Sequence, residues 1–295
     1  MLVVDDAPNG AVETCEHHAI GTRLGEGLEV SGAFAPAAIE RNLAAVAAFA
    51  ARARELGATL SCIATSAVRR ARDADAFAMR VNEVTGVTLD VISGTREAEA
   101  SFLGATYGAD VGAGRVAVLD IGGGSTECAV GSDGVLEGAL SLELGSVRLT
   151  ERYPALAGGD PGATAHGAAR EARAAIASAL APLRRFRPVA QVRCVAGTPL
   201  TVAAIAFESH VDRVRGRTLT RASIDATTAR LLDSSLDARR ELPGMIAQRA
   251  DVIVAGALVL SEALAALDVD TGILESNDLL LGYLVMTRFA PPDPK

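Results

Sequence analysis

The chain has 295 residues, room for two domains, and its 49% hydrophobic content is ample for two cores. A formal net charge of −8, with 3% aromatic residues and no tryptophan, argues against nucleic acid as a partner, since phosphate-backbone affinity needs a basic surface and single strands need stacking platforms. No run of about eighteen apolar residues occurs without polar interruption, so no membrane span is expected, and an opening Met1-Leu2-Val3-Val4-Asp5-Asp6 without a basic, apolar leader points to the cytoplasm.

In chain order, residues 39–56 have helical periodicity, with Ile39, Leu43, Val46, Phe49 and Ala53 on one face and Gly57 as the stop. Residues 60–65 form a short buried-strand candidate, 75–84 a helix, 87–93 a strand and 95–107 a further helix. The glycine-dense stretch 108–114 carries no apolar periodicity and is the expected hinge at which a second domain begins. Two strands then flank the glycines of 122–124, Gly131-Ser132-Asp133-Gly134 reads as a turn, and a strand-like pattern resumes over 135–144. Residues 163–186 form an alanine-rich helical segment, 192–196 a strand, and 221–236 and 244–267 further helices; the apolar segment 279–289 is expected to pack back on a core. The four cysteines, at 15, 62, 128 and 194, lack the close pairs of a zinc site and are expected to be buried thiols, while His17 and His18 default to the surface.

The most informative run is Val116-Ala117-Val118-Leu119-Asp120-Ile121-Gly122-Gly123-Gly124-Ser125-Thr126-Glu127-Cys128-Ala129-Val130. Three glycines let successive backbone N–H groups converge on an anion, and Asp120 and Glu127 are suited to a hard cation brought by a polyanion. No helix follows the glycines, and no Gly-Lys-Ser/Thr ends the loop, so neither a P-loop nor a dinucleotide fingerprint fits. Three glycines alone would read as a tight turn. With Asp120 before them, Ser125-Thr126 inside and Glu127 after, the functional reading is the stronger.

Other segments carry chemistry less specifically. In Ile92-Ser93-Gly94-Thr95-Arg96-Glu97, Thr95 is a candidate N-cap that places Glu97 in a first helical turn, where a carboxylate stays ionised and could accept a proton; by itself the pattern is also an ordinary acidic first turn. Ala64-Thr65-Ser66-Ala67-Val68-Arg69-Arg70 ends a strand in hydroxyls and arginines, a phosphate-binding pattern that exposed arginines equally produce. Glu143-Leu144-Gly145-Ser146-Val147-Arg148 and Ala196-Gly197-Thr198 are glycine turns that could admit phosphate or simply reverse the chain.

Taken in order, these elements resemble the exopolyphosphatase and guanosine pentaphosphate phosphohydrolase (Ppx/GppA) family. The likeness rests on Ala-Thr-Ser-Ala-x-Arg at 64–69, Ile-Ser-Gly at 92–94 followed by acids, Phe102-Leu103-Gly104, Asp120-Ile121-Gly122-Gly123-Gly124-Ser125-Thr126-Glu127 and Leu144-Gly145-Ser146-Val147-Arg148-Leu149-Thr150-Glu151. Residues 22–28 and 249–257 extend it over most of the chain. The resemblance implies an α/β fold of two actin-like (RNase H-like) lobes with a cleft between them. On that reading 1–114 form a first lobe, truncated at its N-terminus, and 115–278 a second lobe with the glycine loop; a C-terminal helix at 279–291 would pack back on the first.

The resemblance also implies an enzyme that hydrolyses the terminal phosphoanhydride of inorganic polyphosphate, guanosine pentaphosphate or both, with Mg²⁺ as cofactor. Asp120 and Glu127 would hold the metal, Glu97 would be the catalytic base, Gly122, Gly123, Gly124, Ser125 and Gly145 would cradle phosphate, and Arg69 and Arg148 would be secondary contacts. The alternative is a catalytically weak polyphosphate- or nucleotide-binding sensory module of the same fold. The implied partners are the substrate alone, without nucleic acid or membrane, and a homodimer is one assembly the resemblance allows.

The chain departs from the family pattern in four places. The segment expected to carry a first phosphate loop of the form Asp-x-Gly-x-Asn-Ser is missing, Met1-Leu2-Val3-Val4 reading as the strand that should follow it, through either a start placed too far downstream or a natural truncation; Arg96-Glu97-Ala98-Glu99 reverses the charges that usually flank the base, Asp278-Leu279-Leu280 stands for Gly-Leu-Arg, and Ala196-Gly197-Thr198 has fewer glycines than usual.

Overall fold

The computed structural model describes residues 1–6 and 11–289. The chain divides into two compact units, Met1–Ser93 and Gly94–Lys295.

In the first unit an antiparallel pair, β1 (Leu2–Asp6) and β2 (Val12–His17), is followed by α1 (Leu28–Ser31) and the long α2 (Pro36–Glu55). Pro36 enters α2 at its first turn, where a missing N–H is harmless, and Gly57 beyond its end takes a left-handed φ of 65°. Then come β3 (Cys62–Ala64), α3 (Ser66–Arg70), α4 (Ala74–Thr85) and β4 (Leu89–Val91), with β3 and β4 parallel. Leu28, Phe34, Leu43, Val68, Phe77 and Val81 form the core of this unit.

The second unit opens with α5 (Gly94–Thr106) and the strands β5 (Val116–Ile121), β6 (Thr126–Ser132) and β7 (Val135–Leu142). It continues through α6 (Ser146–Arg152), α7 (Ala163–Ala179), β8 (Gln191–Val195), α8 (Gly197–Ala206), β9 (Thr218–Thr220), α9 (Arg221–Leu232) and α10 (Leu236–Arg240). It closes with α11 (Ile253–Leu267), β10 (Thr271–Leu274) and α12 (Leu279–Phe289). Six strands form one mixed sheet in the order β7-β6-β5-β8-β10-β9, with β5, β8 and β10 parallel at its centre.

Strand alternation divides this sheet into two faces. Ala117, Leu119, Ile121, Cys128 and Val130 face a large core shared with α7 and with α11, which is apolar apart from Ser261 and Glu262 and correspondingly buried. Val118, Ala129 and Val195 face the other way, onto Ala98, Phe102 and Ala105 of α5. A different face of α5 meets α12 at two glycines: a Cβ on Gly104 would stand 2.0 Å from the Asp278 carbonyl oxygen, and one on Gly282 would stand 1.7 Å from that of Ala100. Only residues without side chains allow the two helix backbones so close.

Several sequence expectations shift. The units divide at Ser93/Gly94, upstream of the glycine-rich stretch at 108–114; that stretch is tied to β8 by Arg193, which donates to the Asp110 carbonyl at 2.6 Å, and by Gln191, which donates to that of Val111. Helix α5 starts at Gly94, so Thr95 lies inside the first turn and does not precede it. The helical segment 163–186 breaks after Ala179 into a 3-10 turn at Ala181–Phe186, because Pro182 has no N–H to continue the helix. Similarly 221–236 ends at Leu232, and Ser235 caps the separate α10 by accepting the Ala238 N–H. Helical structure in 244–267 settles into an α-helix only from Ile253. Cys128 and Cys194 are buried as expected, but Cys62 is half-buried and Cys15 is exposed on the two-stranded hairpin. Residues 290 and 291 of the expected C-terminal helix lie outside the described residues. Among those described, no helix is long and apolar enough to cross a membrane.

Candidate active site

The glycine motif folds as the tip of the β5–β6 hairpin. Ile121 pairs with Thr126, and Gly122 donates its N–H to the Ser125 carbonyl at 3.0 Å, closing the loop. Asp120 and Glu127 are therefore direct cross-strand partners, and their side chains emerge on one face of the sheet. The row continues to β7, where Ser141 is opposite Glu127, and to β8, where Val195 is in register with Asp120.

This is the face that α5 covers. From its first turn α5 contributes Glu97, 5% exposed, and one turn later Ser101, whose hydroxyl donates to Asp120 Oδ2 at 2.7 Å. Ser141 donates in the same way to Glu127 Oε1 at 2.7 Å, and the Ser125 hydroxyl also bonds Glu127. Asp278 caps α12 by accepting the Leu280 N–H at 2.9 Å, and the glycine crossing of α12 on α5 carries it toward the same carboxylates.

Electrostatics registers the convergence. Burial, the largest cause, together with the charges of Asp278 and Glu97, pushes Asp120 up to about 7 against the opposing pull of the Ser101 hydrogen bond. Glu127 is pushed up to about 9, first by burial and then by the charges of Asp120 and Glu97, while the Ser141 and Ser125 hydroxyls act the other way. Two buried carboxylates side by side cannot both ionise cheaply; they require a shared proton or a cation.

The loop above them is half-exposed and shaped by close backbone packing. A Cβ on Gly123 would stand 3.1 Å from Val147 Cγ2, and one on Gly145 would stand 2.3 Å from the Gly123 carbonyl oxygen and 2.5 Å from the Gly124 nitrogen. The first turn of α6 is engaged here too, Ser146 and Val147 donating to the carbonyls of Gly122 and Gly123 at 3.0 and 2.9 Å. The missing side chain of Gly145 thus makes room for the neighbouring loop. Thr126 secures the same turn through its hydroxyl, which donates to the Leu144 carbonyl at 2.5 Å.

The structure therefore brings Glu97, Asp120, Glu127, Gly122, Gly123, Gly124, Ser125 and Gly145 together within one unit. Arg148 adjoins this turn and is engaged with Glu143, donating to its carbonyl and, at 2.9 Å, to its carboxylate. Arg69 belongs to the first unit, where it donates to the Ile92 carbonyl at 2.9 Å.

Sequence reasoning assigned no role to Ser101, Ser141, Asp278 or Arg249. The first two carry no motif signal because their partners are distant in the chain. Asp278 had a usable one, an Asx residue directly before an apolar helical run. Arg249 is mostly buried and lies against Gly197, where a Cβ would stand 2.1 Å from its Nη2; burial lowers its pKa. Gly197 follows β8 two residues after Val195, which places the pair at the same end of the sheet as Gly122.

The Ppx/GppA phosphatase family model matches residues 3–284. The chain belongs to the Ppx/GppA phosphatase family. Among relatives, exopolyphosphatase 2 of Mycobacterium tuberculosis is 33% identical over 285 residues, covering 88% of this chain and 85% of its own. Guanosine-5'-triphosphate,3'-diphosphate pyrophosphatase of Vibrio atlanticus is 28% identical over 99% of this chain and 58% of its own. The crystal structure of an exopolyphosphatase-like protein superposes with a TM-score of 0.84 at 30% identity, over 94% of this chain and 90% of that one. The mixed α/β architecture with its central sheet is that of Ppx/GppA proteins, whose fold is actin-like.

Proposed function

We propose that this Ppx/GppA protein hydrolyses the terminal phosphoanhydride bond of inorganic polyphosphate, guanosine pentaphosphate or both, with Mg²⁺ as cofactor. The observation that carries this reading is the meeting of three buried carboxylates, Glu97, Asp120 and Glu127, beside a half-exposed glycine loop. The names of the relatives supply the substrate class.

The donor set suits the metal. Among the described residues no three His, Cys, Asp or Glu side chains are arranged to hold an ion by themselves. Mg²⁺ characteristically takes one or two carboxylates and completes its shell with water and substrate phosphates. Asp120 and Glu127, adjacent across two strands and held above the usual carboxylate range, are such a pair. When bound, the ion offsets the charge of the transferred phosphoryl group.

Around it the chain's own groups divide the work. Gly123 and Gly124 offer backbone donors to phosphate oxygens, Gly122 and Ser125 close the loop that presents them, and Gly145 keeps that loop in shape. Arg148 supplies further positive charge for the chain of phosphates. Glu97 orients the attacking water and takes its proton, a contribution of typically ~10²–10⁴-fold for a positioned base. We place the reaction in the cytoplasm, in accord with four free cysteines.

The test is phosphate release from polyphosphate and from guanosine pentaphosphate, each with Mg²⁺ and with a chelator. Mg²⁺-dependent release from at least one substrate is expected. Silence on both would end the hydrolase reading.

A further inference from the structure

Hydroxyls inside the helices of this chain commonly bond backward to their own backbone. Thr85, Thr106, Thr150 and Thr228 each donate to the carbonyl four residues earlier, at 2.7 to 2.8 Å. Ser101 departs from that habit. It lies inside α5, only 1% exposed, yet its hydroxyl leaves the helix and donates across to Asp120 on β5. Ser141 mirrors it from the other side of the row, giving Glu127 its own hydroxyl at the same 2.7 Å.

Asp120 thus has one oxygen held by Ser101 of α5, and Glu127 has one held by Ser141 of β7 in addition to its bond with the Ser125 hydroxyl. A carboxylate held at one oxygen cannot rotate freely, so its other oxygen keeps a set direction. Ser101 does a second thing. It follows Glu97 by four residues, so the two share a face of one helix, one turn apart. The bond to Asp120 therefore anchors the helix that bears the proposed base to the strand that bears the proposed metal carboxylate.

We propose that Ser101 and Ser141 are positioning residues for the cation site, Ser101 also setting the spacing between that site and Glu97. This rests on the hydrolase reading above. Outer hydroxyls and carboxylates that hold metal ligands typically contribute about 10–100-fold to metal affinity or activity when removed.

The experiment compares the full-length wild type with Ser101→Ala, Ser101→Thr and Ser141→Ala. Binding of Mn²⁺ and Mg²⁺ is titrated without substrate by calorimetry, kcat and KM are measured at saturating metal, and folding is followed by circular dichroism in a chelator. Ser101→Ala and Ser141→Ala are each expected to bind the ions about 10–100-fold more weakly while remaining folded. Ser101→Ala should also lose kcat at saturating metal with KM nearly unchanged, and Ser101→Thr, which restores the hydroxyl, should recover ion binding. If Ser101→Ala does not fold, Ser141→Ala decides the matter by ion affinity alone. An active wild type whose alanine variants take up the ions with unchanged affinity would overturn the proposal and leave the hydrolase reading standing. A wild type that takes up neither ion would overturn it too, whereas absence of phosphate release by the wild type strikes at the hydrolase reading itself.

Discussion

Asp120 and Glu127 are acids that burial pushes toward the protonated form, and with Glu97 beside them their value to the protein lies in being held together. Glu97 was legible as a first-turn acid from its place after Ile92-Ser93-Gly94, but whether it faced water or a site depended on what α5 covers. In the structure it is buried, and its charge bears on both Asp120 and Glu127. Glu97→Gln keeps the size of the side chain and removes its ability to take a proton. It is expected to lower kcat by ~10²–10⁴-fold at saturating Mg²⁺ with KM changed by less than about threefold, measured by phosphate release. A rate within experimental error of wild type would remove Glu97 from the mechanism.

At the scale of elements, the decisive contact is the crossing of α12 on α5. Both helices were visible as apolar periodic segments, yet nothing in either pattern showed that Gly104 and Gly282 would meet each other's backbone. Because a Cβ at Gly282 would stand 1.7 Å from the Ala100 carbonyl oxygen, no rotamer change relieves the clash and α12 must lift. Gly282→Ala should therefore destabilise by about 1–3 kcal/mol, the range of an overpacked core. At roughly 2–4 °C per kcal/mol for a unit of this size, calorimetry should see a clear fall in Tm. Gly159→Ala is the control, since a Cβ there meets nothing within 4 Å, and its Tm should stay with the wild type. Equal transitions for both variants would show that the crossing is looser than described.

For the whole molecule, the buried acid pair couples stability to pH and to cations. Asp120 and Glu127 have folded-state values raised to about 7 and about 9. Below the ordinary carboxylate range both groups are protonated whether the chain is folded or not, and they impose no penalty. As pH rises through that range the unfolded chain releases these protons while the folded chain keeps them, so stability falls until the folded values are passed. The slope can reach about 1.4 kcal/mol per pH unit for each group. In a chelator, Tm should accordingly fall from the ordinary carboxylate range, 3.8 to 4.5, up to about pH 9, and fall less in Glu127→Gln. A divalent ion competes with those protons, so Mg²⁺ should raise the wild-type Tm more at the alkaline end and have little effect on Glu127→Gln. Parallel profiles for the two proteins, with or without Mg²⁺, would mean that Glu127 is not the group responsible.

The sequence by itself determined the alternation of strands and helices and the hairpin that presents the glycine loop, and the structure then set the register that pairs Asp120 with Glu127. The alternation and the hairpin are local consequences of periodicity and of a four-residue turn; once residues 121 and 126 pair, 120 and 127 must lie side by side. Only the tertiary structure decided that Ser101 and Ser141 hold those carboxylates, that Asp278 and Arg249 are brought to the same end of the sheet, and that Gly145 makes room for its neighbour's backbone. It also decided that the glycines of 108–114 are tied to β8, within the second unit. Each of these depends on residues far apart in the chain, and hydrophobic pattern states which face of an element is buried without stating what buries it.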